Sequence, residues 1–143
     1  MNSKNHITVL VADDHRFFRK ELRKLLEPEN DIEVVGEAAN GRQAVAMTRK
    51  LRPGVVIMDI SMPLLNGLEA TRQIRQTIPD AKVLILSAHG DDAYIERAKA
   101  FGAAGYLIKH ASAVFLPEAI REVQKDHTFL SPEVAKKLFR RHK

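Results

Sequence analysis

The chain has 143 residues, enough for one domain with its own core and too few for two. It contains no cysteine, which excludes a disulfide framework, a thiol nucleophile and any cysteine-based zinc or iron–sulfur site. The formal charge of +5 is uneven: within residues 130–143, Lys136, Lys137, Arg140, Arg141 and Lys143 face Glu133 alone, so nearly all the excess lies in this tail and a uniformly basic nucleic-acid protein is excluded.

Residues 1–6 are polar and are expected to be disordered. They do not form the apolar core of a signal peptide, and no segment approaches the roughly 18 apolar residues of a membrane span, so a soluble, cytoplasmic chain is expected. Ile7-Thr-Val-Leu-Val-Ala12 is a short, β-branched run, apolar on both faces, and predicts a buried parallel strand ending at Asp13-Asp14. From His15 the period changes: Phe17, Phe18, Leu22, Leu25 and Leu26 recur at helical spacing, Arg19, Lys20, Arg23 and Lys24 take the other face, and Pro28 ends the pattern.

The alternation repeats along the chain. A strand from Ile32 to Ala38 leads through the Asn40-Gly41 turn and cap into a helix from Gln43 to Leu51. Val55-Val-Ile-Met58 is a buried strand ending on Asp59, followed by a helix from Leu68 to Thr77. Val83-Leu-Ile-Leu86 is a strand ending at Ser87, with a helix from about Asp92 to Phe101 for which Asp91 is a candidate cap. Tyr106-Leu-Ile108 is a strand ending at Lys109; Ser112 can cap a helix through Val123, and Ser131-Pro132-Glu133 opens a last helix. Strands separated by helices imply right-handed βαβ units, hence an α/β, doubly wound, five-stranded parallel sheet with helices on both faces.

In such a sheet, ligands bind beyond the carboxyl ends of the strands at a topological switch point. The strand-end polar residues Asp13, Asp14, Asp59, Ser87 and Lys109 would all converge there, although Asp14, Asp59, Ser87 and Lys109 are separated by tens of residues in sequence. Three carboxylates brought together repel one another unless a cation neutralises them, and an oxygen-only donor set suits Mg²⁺ or Mn²⁺ better than Zn²⁺. A metal, a lysine and a hydroxyl at one point can hold a phosphoryl group, leaving one carboxylate to act as nucleophile and form an acyl phosphate. No Gly-x-x-x-x-Gly-Lys-Ser/Thr or Gly-x-Gly-x-x-Gly run is present, so nucleotide binding has no motif behind it.

Val11-Ala-Asp-Asp-His15, Met58-Asp59-Ile-Ser-Met-Pro63 with Asn66-Gly67, Leu86-Ser87-Ala88 and Gly102-Ala-Ala-Gly-Tyr-Leu-Ile-Lys109, in this order and spacing, resemble the receiver domain of two-component response regulators over about residues 7–126. The Asp-Asp-His opening, the Gly-Ala-Ala-Gly-Tyr-Leu segment and Leu130-Ser-Pro-Glu-Val134 resemble its NarL/FixJ (LuxR-type) subgroup more narrowly. The resemblance implies a flavodoxin-like receiver fold in which Asp59 accepts a phosphoryl group from a sensor histidine kinase. By the same likeness Asp14 and Asp59 ligate Mg²⁺ directly, Asp13 helps through water and the Ser61 carbonyl completes the protein ligands. Lys109 pairs with the phosphoryl oxygen, Ser87 and Tyr106 form the switch, and the chain is a regulatory phospho-receiver that dimerises on phosphorylation. Residues 127–143 would be a linker helix with a basic tail, and DNA would be bound only through a helix-turn-helix effector domain absent from this chain.

Blander readings exist for each residue. Asp14 alone could be a helix cap, Lys109 a solvated surface lysine, Ser87 a local backbone partner and Tyr106 a packed core ring. His15 and His89 lie near the rim and are assigned no ligand role; Met58 is read as core and Met62 as loop packing. The competing functions are a stand-alone receiver acting through protein contacts and an aspartate-nucleophile phosphatase of the haloacid-dehalogenase type. The latter wants an acid two residues after the nucleophile, where this chain has Ser61.

Overall fold

The computed structural model describes residues 6–141. Strands β1 (Ile7–Ala12), β2 (Ile32–Ala38), β3 (Val55–Met58), β4 (Lys82–Ser87), β5 (Gly105–Ile108) and β6 (Phe129–Leu130) form one sheet in the order β2-β1-β3-β4-β5-β6, every pair parallel. Between and after them run α1 (Arg16–Leu26), α2 (Gly41–Leu51), α3 (Gly67–Thr77), α4 (Asp92–Ala100), α5 (Ser112–Gln124) and α6 (Pro132–Arg141).

The five-strand expectation is corrected to six. β6 is two residues long, too short to show a period, and it exists because Phe129 N–H reaches the Ala104 carbonyl (3.2 Å) and Ser131 N–H the Tyr106 carbonyl (3.1 Å).

The two-sided apolar strands make two cores. Leu10, Ala12, Val56, Met58, Val83, Ile85, Tyr106 and Ile108 face α2, α3, α4 and α6, while Val9, Val11, Val55, Ile57, Leu84, Leu86 and Leu107 face α1 and α5. Successive side chains point to opposite faces, so one four-residue run serves both layers. Fully burying one such Leu or Ile contributes about 1.5–3 kcal/mol, and both cores lock the register of the central strands. Met58 and Met62 both join the first core.

Phe17 departs from the expected apolar face of α1. It is 74% exposed, because the buried stripe runs through Phe18, Leu22, Leu25 and Leu26 and residue 17 lies a third of a turn away from it. Asn40 and Asn66 cap α2 and α3, each side chain accepting from a backbone N–H three residues on, Gln43 at 2.8 Å and Glu69 at 2.9 Å. Asp91 holds the cap position of α4 without a side-chain capping bond. Ser131 precedes α6 as expected, yet its hydroxyl is buried and makes no hydrogen bond among the described residues; Pro132 with its preset φ, and the Ala135 N–H to Ser131 carbonyl bond, start the helix instead. The Ser112 side chain, the basic side chains of Arg140, Arg141 and Lys143, and the N-terminal segment before His6 lie outside the described residues.

α6 packs on the β5–β6 end of the sheet. Val134 is fully buried, and Leu138 joins Ile95, Ala98 and Tyr106 around an apolar cavity of about 240 Å³ between α6 and α4. No helix among the described residues is long and apolar enough to cross a membrane.

Candidate functional site

The strand order places the switch point between β1 and β3, where the chain first moves to one side of β1 and then to the other. Asp13 follows β1 and Asp59 follows β3. Their main chains are pinned to neighbouring strands: Asp13 N–H donates to the Ala38 carbonyl at 3.0 Å, and Asp59 N–H to the Ala12 carbonyl at 2.9 Å. Both side chains are buried, whereas Asp14 and His15 are exposed.

These four residues form one cluster, each offering a ligand atom within 4.8 Å of the others. The Asp13 carboxylate accepts from His15 N–H at 2.8 Å, which folds the chain so that the His15 Nδ1 lies 3.2 Å from both Asp13 Oδ1 and Asp14 Oδ1. Asp59 Oδ1 accepts from the Ile60 N–H at 2.9 Å. Lys109, at the end of β5, brings its Nζ to 2.8 Å from Asp13 Oδ2 and 3.6 Å from Asp59 Oδ2.

Burial, and next the negative charge of Asp13, push the Asp59 carboxyl above its ordinary range; Lys109 and the Ile60 N–H oppose the shift without cancelling it. A buried carboxylate held against a second one is a high-energy charge, and chemistry or ions that relieve it are favoured there.

Ser87 and Tyr106 meet through one residue. The buried Ser87 Oγ accepts from the His89 N–H at 3.0 Å, and the Tyr106 hydroxyl donates to the His89 carbonyl. The Tyr106 ring is buried, and burial first of all pushes its hydroxyl up to about 12. Ser61, exposed two residues after Asp59, places its Oγ 3.2 Å from His89 Nε2. The structure therefore gathers Asp13, Asp14, Asp59 and Lys109 into one constellation and joins Ser87, Tyr106 and Ser61 around His89.

His15, placed near the rim by the sequence and given no ligand role there, belongs to the acidic cluster by geometry. Two further participants carry no mark of the site in the sequence. Phe18 sets its ring 4.2 Å from Lys109 Nζ, and Arg19 donates from Nη1 to the Asp13 carbonyl at 2.6 Å and from Nε to Glu37 at 2.8 Å. Both lie in the first turn of α1, where the sequence spacing marks them only as its apolar and basic faces.

Gly67, which opens α3, is required by close approach. A Cβ there would meet the Asp59 carbonyl oxygen at 1.8 Å, while the Gly67 N–H donates to the Ile60 carbonyl at 2.8 Å, so the loop after Asp59 closes back on its own start.

Residues 9–121 match the model of the response regulator receiver domain. Over 141 residues the chain is 38% identical to the transcriptional regulatory protein DegU of Brevibacillus brevis, covering 99% of this chain and 60% of DegU. It is 37% identical over 137 residues to the response regulator protein VraR of Staphylococcus aureus, covering 96% of this chain and 66% of VraR. The chain thus spans about three fifths to two thirds of the length of these relatives. Among solved structures, a LuxR-family two-component response regulator from an Aurantimonas species superposes with a TM-score of 0.91 at 32% identity, over 96% of this chain and 98% of that one. The ordered strand-end residues, the fold and these likenesses agree: the chain belongs to the response regulator receiver domain family, in its NarL/FixJ (LuxR-type) branch.

Proposed function

We propose that Asp59 accepts a phosphoryl group from a sensor histidine kinase, with Mg²⁺ (or Mn²⁺) held by Asp14 and Asp59, by the Ser61 backbone carbonyl and, through water, by Asp13. The observation that carries this reading is the Lys109 ammonium shared between Asp13 and Asp59 beside a raised, buried Asp59 carboxyl. The donor chemistry fits a hard divalent cation: the cluster is dominated by carboxylate oxygens, and like-charge repulsion already raises Asp59. When bound, the cation supplies charge neutralisation for the carboxylates and the incoming phosphoryl oxygens.

The chain's own residues do the rest. An Asp59 carboxylate oxygen attacks phosphorus; the O–P bond forms as the donor's N–P bond breaks, and the electron pair leaves on the donor imidazole nitrogen, which a proton from solvent restores. Lys109 neutralises the charge on the transferring oxygens, having Asp59 within its reach before the reaction. The Ser87 hydroxyl hydrogen-bonds a phosphoryl oxygen, and Tyr106 packs into the space beside it. The aspartyl phosphate acts by favouring one of two packings of the β4–α4 segment.

The relatives support a reading of the output. DegU is named a transcriptional regulatory protein and is longer than this chain. The reading extends to homodimerisation on phosphorylation and to DNA control through an effector domain for which residues 127–143 are the linker, in the cytoplasm where the kinase domain works. As a receiver the chain is regulatory; its catalysis is confined to its own phosphorylation and dephosphorylation.

The test uses acetyl phosphate with Mg²⁺ as donor and intact mass as readout. Wild type gains one phosphoryl group that is lost at alkaline pH, and Asp59→Asn gains none. Equal labelling of the two would overturn the assignment.

A further inference from the structure

We infer that Phe18 is a positioning residue for Lys109, its ring holding the ammonium where it can serve Asp59; this rests on the reading of Asp59 as phospho-acceptor.

The Lys109 side chain is 17% exposed, and its Nζ is 2.8 Å from Asp13, 3.6 Å from Asp59 and 4.2 Å from the centroid of the Phe18 ring. The π face of a phenyl ring attracts a cation through its quadrupole. It does so without a directed hydrogen bond, so it adds attraction but leaves the three ammonium protons for oxygens. An aliphatic side chain at residue 18 would give contact without attraction. A carboxylate or amide there would claim a proton and draw the lysine away from the acids.

That distinction matters because Lys109 must change partner. It sits nearer Asp13 than Asp59, and phosphoryl transfer to Asp59 would add anionic oxygens there for it to turn toward. The π face sets no fixed direction for the ammonium protons, so the lysine can turn toward them while staying over the ring. The ring itself is anchored, since Phe18 is half-buried against the core that holds Leu22 and Leu26. The next residue holds the other partner: Arg19 ties the Asp13 carbonyl to Glu37 on β2. Adjacent residues of one helical turn therefore seat the cation and fix the first of its acids.

The experiment places Tyr, Leu and a ring-trifluorinated phenylalanine at residue 18 of the full chain and follows Asp59 labelling by acetyl phosphate with Mg²⁺. Fluorination withdraws the quadrupole while keeping the shape. Phe18→Tyr is expected to label within twofold of wild type, and the fluorinated ring and Phe18→Leu about three- to tenfold more slowly. In a Lys109→Ala background the same changes are expected to have no further effect. A fluorinated variant that labels at the wild-type rate, or losses of equal size in both backgrounds, would overturn the inference and leave Phe18 a packing residue. One readout is independent of phosphorylation: ring current shifts the Lys109 Hε resonances upfield in wild type, and Phe18→Leu returns them. Unshifted wild-type resonances sink the geometry. If the shift is present but wild type takes no phosphoryl group on Asp59, the reading of the site fails, and the role of Phe18 in the reaction fails with it.

Discussion

Lys137 donates from Nζ to the backbone carbonyl of Gly90, tying α6 to the loop between β4 and α4. The residue before Gly90 is His89, whose N–H serves Ser87 and whose carbonyl serves Tyr106. One short loop thus anchors the last helix and holds both residues of the expected switch. Val134 keeps α6 on the sheet, so Lys137→Ala removes the tie and spares the apolar contact. The expected loss is about 1 kcal/mol, seen as faster native-state amide exchange confined to α6 and the β4–α4 loop. Exchange that is unchanged there, or raised uniformly through the sheet, would show that the lysine does not connect the two segments.

Asp59 should destabilise the fold that houses it. Its carboxyl is raised in the folded chain by burial and by Asp13, so the folded state binds the proton more tightly than the unfolded one. Stability is therefore gained as pH falls through the raised value and is lowest above it, where the group is charged. Asp59→Asn removes the charge and keeps an oxygen for the Ile60 N–H. At neutral pH, Tm is expected to rise by about 2–4 °C. The gain should shrink in acid, once wild-type Asp59 is itself protonated. A gain independent of pH would assign the effect to packing.

How much of this was legible in the sequence depends on range. β1, β3 and β4 announce themselves because both faces are apolar and the runs end on Asp, Asp and Ser. β6 does not, because two residues carry no period and its pairing depends on the chain already having returned along β5. Phe17 and Phe18 look equivalent as apolar letters at the start of a helix; only the docked orientation of α1 exposes one and sets the other against Lys109. The acids and the lysine could be placed because strand ends share a rim. The Arg19 bond to a backbone carbonyl and the His89 link between Ser87 and Tyr106 could not, since main-chain partners leave no mark in side-chain spacing.

Arg121 on α5 bridges Glu29 and Asp31 in the turn before β2, reaching Asp31 from Nε and Nη2 at 2.8 Å each. The hydrogen bond from Arg121 holds the Asp31 carboxyl below the usual carboxylate range. A depressed carboxylate contributes stability above its unfolded pKa and loses it as pH falls through the folded value. The pair is partly exposed, and screening limits its worth. Arg121→Ala is expected to cost about 1 kcal/mol at pH 7 and low salt, less in molar salt and less again in strong acid. A penalty that survives acid and salt would have to come from lost packing of the arginine stem.

Gly67→Ala tests whether the loop after Asp59 is built around the approach of two backbones. The added methyl would lie 1.8 Å from the Asp59 carbonyl oxygen, 2.8 Å from its carbon and 3.0 Å from the Ile60 Cα, and all three are main-chain atoms that no rotamer change can clear. Either the start of α3 or the end of β3 must move. Moving α3 breaks the Gly67 N–H bond to Ile60 and disturbs the Asn66 cap; moving β3 displaces Asp59 from Lys109. The first route predicts a loss of about 2 kcal/mol or more with Asp59 labelling by acetyl phosphate retained in the folded fraction. The second predicts a similar loss together with labelling slowed about tenfold or more, since a small misplacement of a reacting group suffices for that. Denaturant melts and labelling rates on the same preparation separate the two. A variant as stable and as reactive as wild type would mean that this contact does not exist in the protein.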